Sequence, residues 1–263
     1  MRRLLLLALC LVACKTKKPD PEPPPPPPPP PARDAGPAVT QGPPWKLDRK
    51  SFTPPNIPDA LTFYGWSADG ARYALQIDVP AEGAECSDMF RVRVVDAAAD
   101  RFVDGGDVLV RRDQIDTHPC DPPELRPLAD AQRSTLLSQH GVVVGNFRAP
   151  VKPTKVGDKW RITWSDGSTS DLAFEVKHTV DDPYSPEAEK GAAYHLVIGG
   201  QTIEPGTRRR SGVVRYAIDE ARVFESPDGR HAAIVIERYE RAFEGARRSW
   251  MSNGFVRPTG AAP

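Results

Sequence analysis

Leu61-Thr62-Phe63-Tyr64-Gly65-Trp66-Ser67-Ala68-Asp69-Gly70-Ala71-Arg72-Tyr73-Ala74-Leu75-Gln76-Ile77-Asp78-Val79 is the stretch on which the fold turns. Two apolar, β-branched and aromatic runs flank an Asp-Gly pair, and Gly70 tolerates the positive φ that a tight hairpin demands. Immediately downstream, Phe90-Arg91-Val92-Arg93-Val94-Val95-Asp96 alternates with a period of two, the pattern of a strand with one buried face. Similar short runs predict further strands near 107–111, 142–147, 159–164, 171–178, 192–198, 212–224, 231–239 and 248–256. Gly105-Gly106, Asp166-Gly167 and Gly199-Gly200 are expected to supply turns. One segment departs from this pattern. Leu125, Leu128, Ala129, Gln132, Leu136 and Leu137 fall near helical spacing, and Gly141 is placed to end a helix over 127–140. His140 in its last turn suits the helix dipole and is read as a terminus residue, not a base. The fold class expected is mainly β, antiparallel, sandwich-like or incomplete propeller-like, with that one helix on a sheet.

The first hairpin has an echo. Trp66-Ser67-Ala68-Asp69-Gly70-Ala71-Arg72-Tyr73-Ala74 returns as Glu225-Ser226-Pro227-Asp228-Gly229-Arg230-His231-Ala232-Ala233, and Ser165-Asp166-Gly167 is a partial third copy. These Ser-x-Asp-Gly turns resemble the Ser-Pro-Asp-Gly hairpins of TolB-type β-propeller repeats. Propeller signatures recur every ~40–50 residues, whereas the two full copies here are separated by about 159. Separate hairpins sharing the same turn chemistry therefore stand beside a propeller as a reading. A second resemblance covers the two ends of the folded part. Phe63 to Gly70, Tyr73-Ala74, Val92 to Asp96 and Arg101-Phe102-Val103 look like the opening of a family of predicted secreted bacterial proteins of unknown function. Ser226 to Arg230, Ala242-Phe243-Glu244-Gly245 and Arg247-Arg248 are similar to its close. That resemblance implies a secreted, β-rich domain and carries no activity.

The N-terminus reads as an address. Arg2 and Arg3 precede a leucine-rich run, and Leu11-Val12-Ala13-Cys14 follows. A basic start, a short apolar core and small residues at the cut make a secretory signal over residues 1–13. A cysteine after Leu-x-Ala resembles the bacterial lipoprotein signal, which implies cleavage before Cys14 and a lipid on its thiol. The apolar stretch is about half the ~20 residues needed to span a bilayer. Residues 14–44 form the next segment. It holds Lys15, Lys17 and Lys18, then nine consecutive prolines from Pro23 to Pro31. Such a run lacks backbone donors, has fixed φ, and adopts polyproline II at ~3.1 Å per residue. The spacer would reach roughly 80–90 Å if extended, and it has too little apolar surface to build a core. The lysines lie where anionic headgroups would attract each by about 1 kcal/mol. A β-rich globular domain is expected over 45–257, with a flexible tail at 258–263. The expected location is extracytoplasmic and membrane-anchored. Lys15 after the lipid cysteine implies the outer membrane in a Gram-negative cell.

The remaining chemistry is sparse. With Cys10 removed in the signal and Cys14 lipidated, Cys86 and Cys120 are left as a pair, and an oxidising compartment makes a disulfide the expectation. Closing a loop of about 35 residues would contribute roughly 3–4 kcal/mol in the chain-entropy model. A metal site from Cys86, His118 and Cys120 matches no familiar zinc spacing. The acidic loop with Asp181, Asp182, Glu187 and Glu189 lacks the glycine and ligand spacing of an EF-hand. No metal or cofactor is expected. There is no Gly-x-Ser-x-Gly, His-Glu-x-x-His, Walker loop or dinucleotide fingerprint. The full chain balances 35 basic against 35 acidic residues, which argues against a nucleic-acid partner. Arg208, Arg209, Arg210, Arg247 and Arg248 form the candidate patch for an anionic partner such as lipopolysaccharide, peptidoglycan carboxylates or an acidic protein. The function expected is a non-enzymatic binding or scaffold module of the cell envelope, attached to its membrane through lipid. The alternatives are a hydrolase using Asp69, His178 and His195, and a purely structural spacer.

Overall fold

A computed structural model describes residues 42–51, 58–79, 89–111, 125–242 and 245–259 of the chain. The signal over 1–13, Cys14, nearly all of the proline-rich segment, Cys86, His118, Cys120, Phe243 and Glu244 lie outside these residues. The described residues fall within a single compact unit, and their architecture is mainly β, built from three antiparallel sheets.

Each sheet is a meander of consecutive strands. The N-terminal sheet runs β1 (Trp45–Lys46), β2 (Ala60–Trp66), β3 (Arg72–Val79), β4 (Met89–Asp96) and β5 (Arg101–Arg111). The lateral sheet contains β6 (Thr154–Val156), β7 (Lys159–Thr163), β8 (Thr169–His178), β9 (Ala193–Ile198) and β10 (Gln201–Pro205). The third contains β11 (Val213–Glu225), β12 (His231–Ala242) and β13 (Gly245–Val256). This third sheet is the middle layer. Along β12, Ala232, Ile234 and Ile236 pack with Ile162, Leu172, Tyr194, Leu196 and Ile198 of the lateral side. The alternate residues Ala233 and Val235 pack with Leu61, Phe63, Tyr73 and Leu75 of the N-terminal sheet. Burial on both faces is why Ala232 to Ile236 reads as one continuous apolar run, where a half-exposed strand would alternate. The N-terminal side of this core is aromatic. Phe63 stacks on Phe224 with ring centroids 3.9 Å apart, and Trp66 and Tyr73 lie 5.2 Å apart. Such ring pairs add about 0.5–1.5 kcal/mol each beyond the area they bury.

Helix α1 (Leu125–Gln139) covers the outer face of the N-terminal sheet, with Leu136 and Leu137 against Tyr64, Ala74, Val92 and Val94. It ends as the sequence predicts. Gly141 is left-handed at φ 65°, its N–H donates to Ser138 O, and the Val142 N–H donates to Leu137 O, forming a Schellman close.

Three local expectations are corrected. Residues 142–147 are not a strand. Val142 makes a single bridge to Ser67, and the following loop is stitched to β2 by Val143 N–H to Trp66 O and Gly145 N–H to Tyr64 O. Gly65 makes this approach feasible, since a Cβ there would lie 2.3 Å from Val143 O. Gly105-Gly106 does not separate strands. It sits inside β5, where the pairing with β4 shifts register. The acidic loop contains a short helix, α2 (Pro186–Lys190), in which Glu187 pairs with Lys190 and Arg209. The apolar pattern did not announce β1, β6 or β10, which are edge strands of two to five residues.

The repeated turns meet. In the β2–β3 turn, Ser67 Oγ donates to Asp69 Oδ1 and accepts from Arg72 N–H, while the Ala71 N–H donates to Asp69 Oδ1. The β11–β12 turn repeats these contacts with Ser226, Asp228, Arg230 and His231. The two turns touch: a Cβ on Gly70 would come within 2.9 Å of Asp228 Oδ1. The β7–β8 turn, one residue tighter, joins them through side chains. Arg257 donates to Glu225, to Asp166 Oδ2 at 2.6 Å and to Ser168 Oγ at 2.8 Å. Arg148 donates to Ser165 Oγ and to Pro227 O, and the Ser165 N–H donates to Glu225 Oε2. Each sheet thus contributes one Asp-Gly turn to a common joint, cross-tied by two arginines on one buried glutamate.

Candidate functional site

Beside β13, the edge strand of the middle sheet, a cavity of about 330 Å³ is lined by Arg93, Val95, Asp100, Arg101, Phe102, Arg208, Arg210, Arg238, Met251, Ser252 and Asn253. Five of these eleven side chains are arginines, which makes the lining a cationic one.

The backbone explains how the arginines converge. Gly254 has no side chain, and a Cβ there would lie 2.6 Å from Ala97 Cα, so the β4–β5 turn rests directly on β13. Asp100 closes that turn in the left-handed region at φ 47°, uncommon for a residue with a side chain. Its carboxylate accepts from Asn253 Nδ2 at 2.8 Å and from the Gly254 N–H at 2.6 Å, which satisfies an edge donor of β13. Burial pushes the Asp100 carboxyl above its ordinary range, against the pull of those two hydrogen bonds. This turn delivers Arg101 and Phe102 to the rim. On the other side, Arg210 N–H donates to Ala192 O, seating the Arg208–Arg210 loop beside the lateral sheet.

Three of the arginines are drawn inward. The side chains of Arg93, Arg210 and Arg238 are 13%, 20% and 17% exposed. Arg93 lies 3.7 Å from Asp107 and stacks over the Phe102 ring at 5.1 Å. Arg210 pairs with the buried Glu204 at 3.0 Å. Arg238 pairs with Glu240 at 2.9 Å. Burial, then the like charges of Arg91 and Arg238, push the Arg93 guanidinium down to about 10. Arg93 Nε, Arg210 Nη1 and Arg238 Nε are buried without a hydrogen-bond partner among the described residues. Arg101 and Arg208 have no ion-pair partner among the described residues.

The five arginines singled out in the sequence divide between several places. Arg208 and Arg210 line the cavity. Arg209 turns away, donating to Gly191 O at 2.7 Å and to Glu187 at 3.2 Å. Arg247 pairs with Asp59 and Glu240 at 3.3 Å, and Arg248 pairs with the buried Glu237. Sequence reasoning missed Arg93, Arg101 and Arg238. The alternation Arg91-Val92-Arg93 placed two cations on one strand face, a signal that was legible. The meeting of β4, β12 and a loop from the lateral side was not.

Asp69, His178 and His195 do not come together. Asp69 is held inside its own turn, where the Ser67 hydroxyl and then the Ala71 N–H lower its carboxyl. His195 pairs with Glu175 across β8 and β9, while His178 faces Ala193. Among the described residues, no three His, Cys, Asp or Glu side chains are grouped to hold a metal ion. No helix among them is long and apolar enough to cross a membrane. No family model matches the chain, no curated protein is similar to it, and no solved structure matches its fold.

Proposed function

We propose that this is a lipid-anchored cell-envelope protein whose β domain is a binding module for an anionic envelope component, displayed on a polyproline stalk. The observation that carries the binding role is the arginine-lined cavity, whose cationic side chains outnumber the single lining carboxylate of Asp100. That carboxylate is already committed to Asn253 and Gly254. Guanidinium groups suit this role because their forked donors engage carboxylate or phosphate oxygens directly. The anchoring role rests on the Leu11-Val12-Ala13-Cys14 run and on the stalk of Pro23 to Pro31. The Cys86–Cys120 disulfide belongs to the same reading, since export exposes both thiols to oxidation. Two measurements test it. Acyl-chain labelling of the expressed chain is expected for the native sequence and lost in Cys14→Ala. The purified full chain in detergent is expected to be retained by peptidoglycan, lipopolysaccharide or membrane extract, and to be released by salt. Retention by none of the three would refute the binding role.

A further inference from the structure

Charge around the cavity bears on the class of ligand it can hold. The lining arginines and the ion pairs that reach them form one network: Arg91 shares Asp107 with Arg93, and Arg247 shares Glu240 with Arg238. Glu204 serves Arg210, and Asp59 serves Arg247. Among the described residues, Arg101 and Arg208 stand at the rim without an ion-pair partner, Arg91 and Arg93 have one carboxylate between them, and Asp100 adds one carboxylate in the wall. Among these described residues the excess is two positive charges, even with every carboxylate ionised. A monoanion neutralises half of it, and a dianion neutralises all of it.

Donor geometry points the same way. The arginines arrive from separate elements, β4, β5, β12 and the loop before β11, so their forks approach from several directions. A carboxylate is planar and is served by one fork, whereas a tetrahedral oxyanion presents oxygens in several directions. Phe102 stands at the rim with 47% of its surface exposed, an uncommon position for a large aromatic ring, and its underside is held by Arg93. It offers a flat apolar surface to whatever carries the anion. The cavity of about 330 Å³ is at the small end of ligand sites, enough for a headgroup and not for an extended polymer.

We infer that the cavity takes a phosphomonoester: the dianionic phosphate enters among Arg93, Arg101, Arg208, Arg210 and Arg238, and its organic carrier lies over Phe102. This rests on the binding-module reading above and specifies its ligand. A phosphorylated saccharide on a lipid and a free sugar phosphate share this chemistry, and the test separates them.

The test titrates the full chain in detergent with glucose 1-phosphate, inorganic phosphate, methyl phosphate diester and acetate, by calorimetry at fixed ionic strength. Glucose 1-phosphate is expected to bind at least tenfold tighter than acetate or the diester. Its affinity should rise as pH passes through the second phosphate ionisation near ~6. The double variant R101A/R208A removes two rim cations without an ion-pair partner among the described residues, so it should fold normally and lose at least tenfold in affinity. Phe102→Ala should weaken glucose 1-phosphate while leaving inorganic phosphate unchanged. Flotation with vesicles containing phosphatidic acid, against vesicles with phosphatidylglycerol, tells a lipid-borne monoester from a free one. Equal binding of acetate and glucose 1-phosphate, both lost in R101A/R208A, would overturn the phosphomonoester assignment and leave the anion-binding module standing. Binding of no anion, or binding indifferent to R101A/R208A, would overturn both.

Discussion

Asp59 offers the most direct check on how charge is buried in this domain. Its side chain is 1% exposed at the start of β2, its backbone is tied to β13 by Asp59 N–H to Arg248 O, and its carbonyl accepts from Trp250 Nε1. Burial dominates its titration, with Arg247, 3.3 Å away, pulling in the opposite direction, and the carboxyl is pushed up from 3.8 to about 6. A folded pKa above the unfolded one means that the folded state prefers the protonated acid. The contribution is therefore fully present below pH ~4 and is lost as pH rises through ~6. A shift of about two units at ~1.36 kcal/mol each amounts to about 3 kcal/mol. Asp59→Asn keeps the shape and remains neutral at every pH. Urea denaturation of both full chains, followed by tryptophan fluorescence from pH 3.5 to 8, should give stabilities whose difference moves by about 3 kcal/mol in favour of the Asn variant as pH rises. Most of that change should fall between pH 4 and 6.5. A pH-independent difference, or one that favours the native chain at higher pH, would refute the reasoning and make the Arg247 pair the dominant influence.

Other outcomes follow from the joint and the cavity wall. Glu225→Ala strands Arg148 and Arg257 inside the joint and should cost about 3–5 kcal/mol, the range for breaking a buried ion pair; chemical denaturation measures it. The paired change Glu225→Met with Arg257→Met should recover only part of that loss, because Arg257 is no longer stranded while Arg148 still is. Gly254→Ala forces a Cβ to within 2.6 Å of Ala97 Cα, so it should lift the β4–β5 turn off β13. The expected result is a loss of about 1–3 kcal/mol, the range for overpacking, together with faster amide exchange at Asn253 and Gly254.

Local patterns carried much of the fold into view. The Asp69-Gly70 and Asp228-Gly229 hairpins, the alternating strand at Phe90–Asp96 and the helix closed by Gly141 depend on interactions within a few residues, and each follows from its own segment. Residues 142–147 look like a strand because Val142-Val143-Val144 is apolar and β-branched. Their backbone donors are instead spent on β2 across Gly65, a distant partner that a local pattern cannot reveal. The echoed turns were visible as a repeat, yet the contact between Gly70 and Asp228 was not, because some 158 residues of chain separate the two in sequence. The cavity was the least legible. Arg208 and Arg210 stood out as a run, but Arg209 between them turns toward Glu187. Arg93, Arg101 and Arg238 look like ordinary solvent-facing cations until two sheets bring them together.

The order of the layers has a consequence for synthesis. The sheet that occupies the middle, Val213 to Val256, is the last to be made, and both earlier sheets bury their apolar faces against it. Until these final strands emerge, Phe63, Tyr73, Leu196 and Ile198 lack the layer that covers them. Even the joint waits, since Glu225 and Arg257 belong to the same late stretch. A chain built in this order leaves the inward apolar faces of its first two sheets uncovered until the third is made.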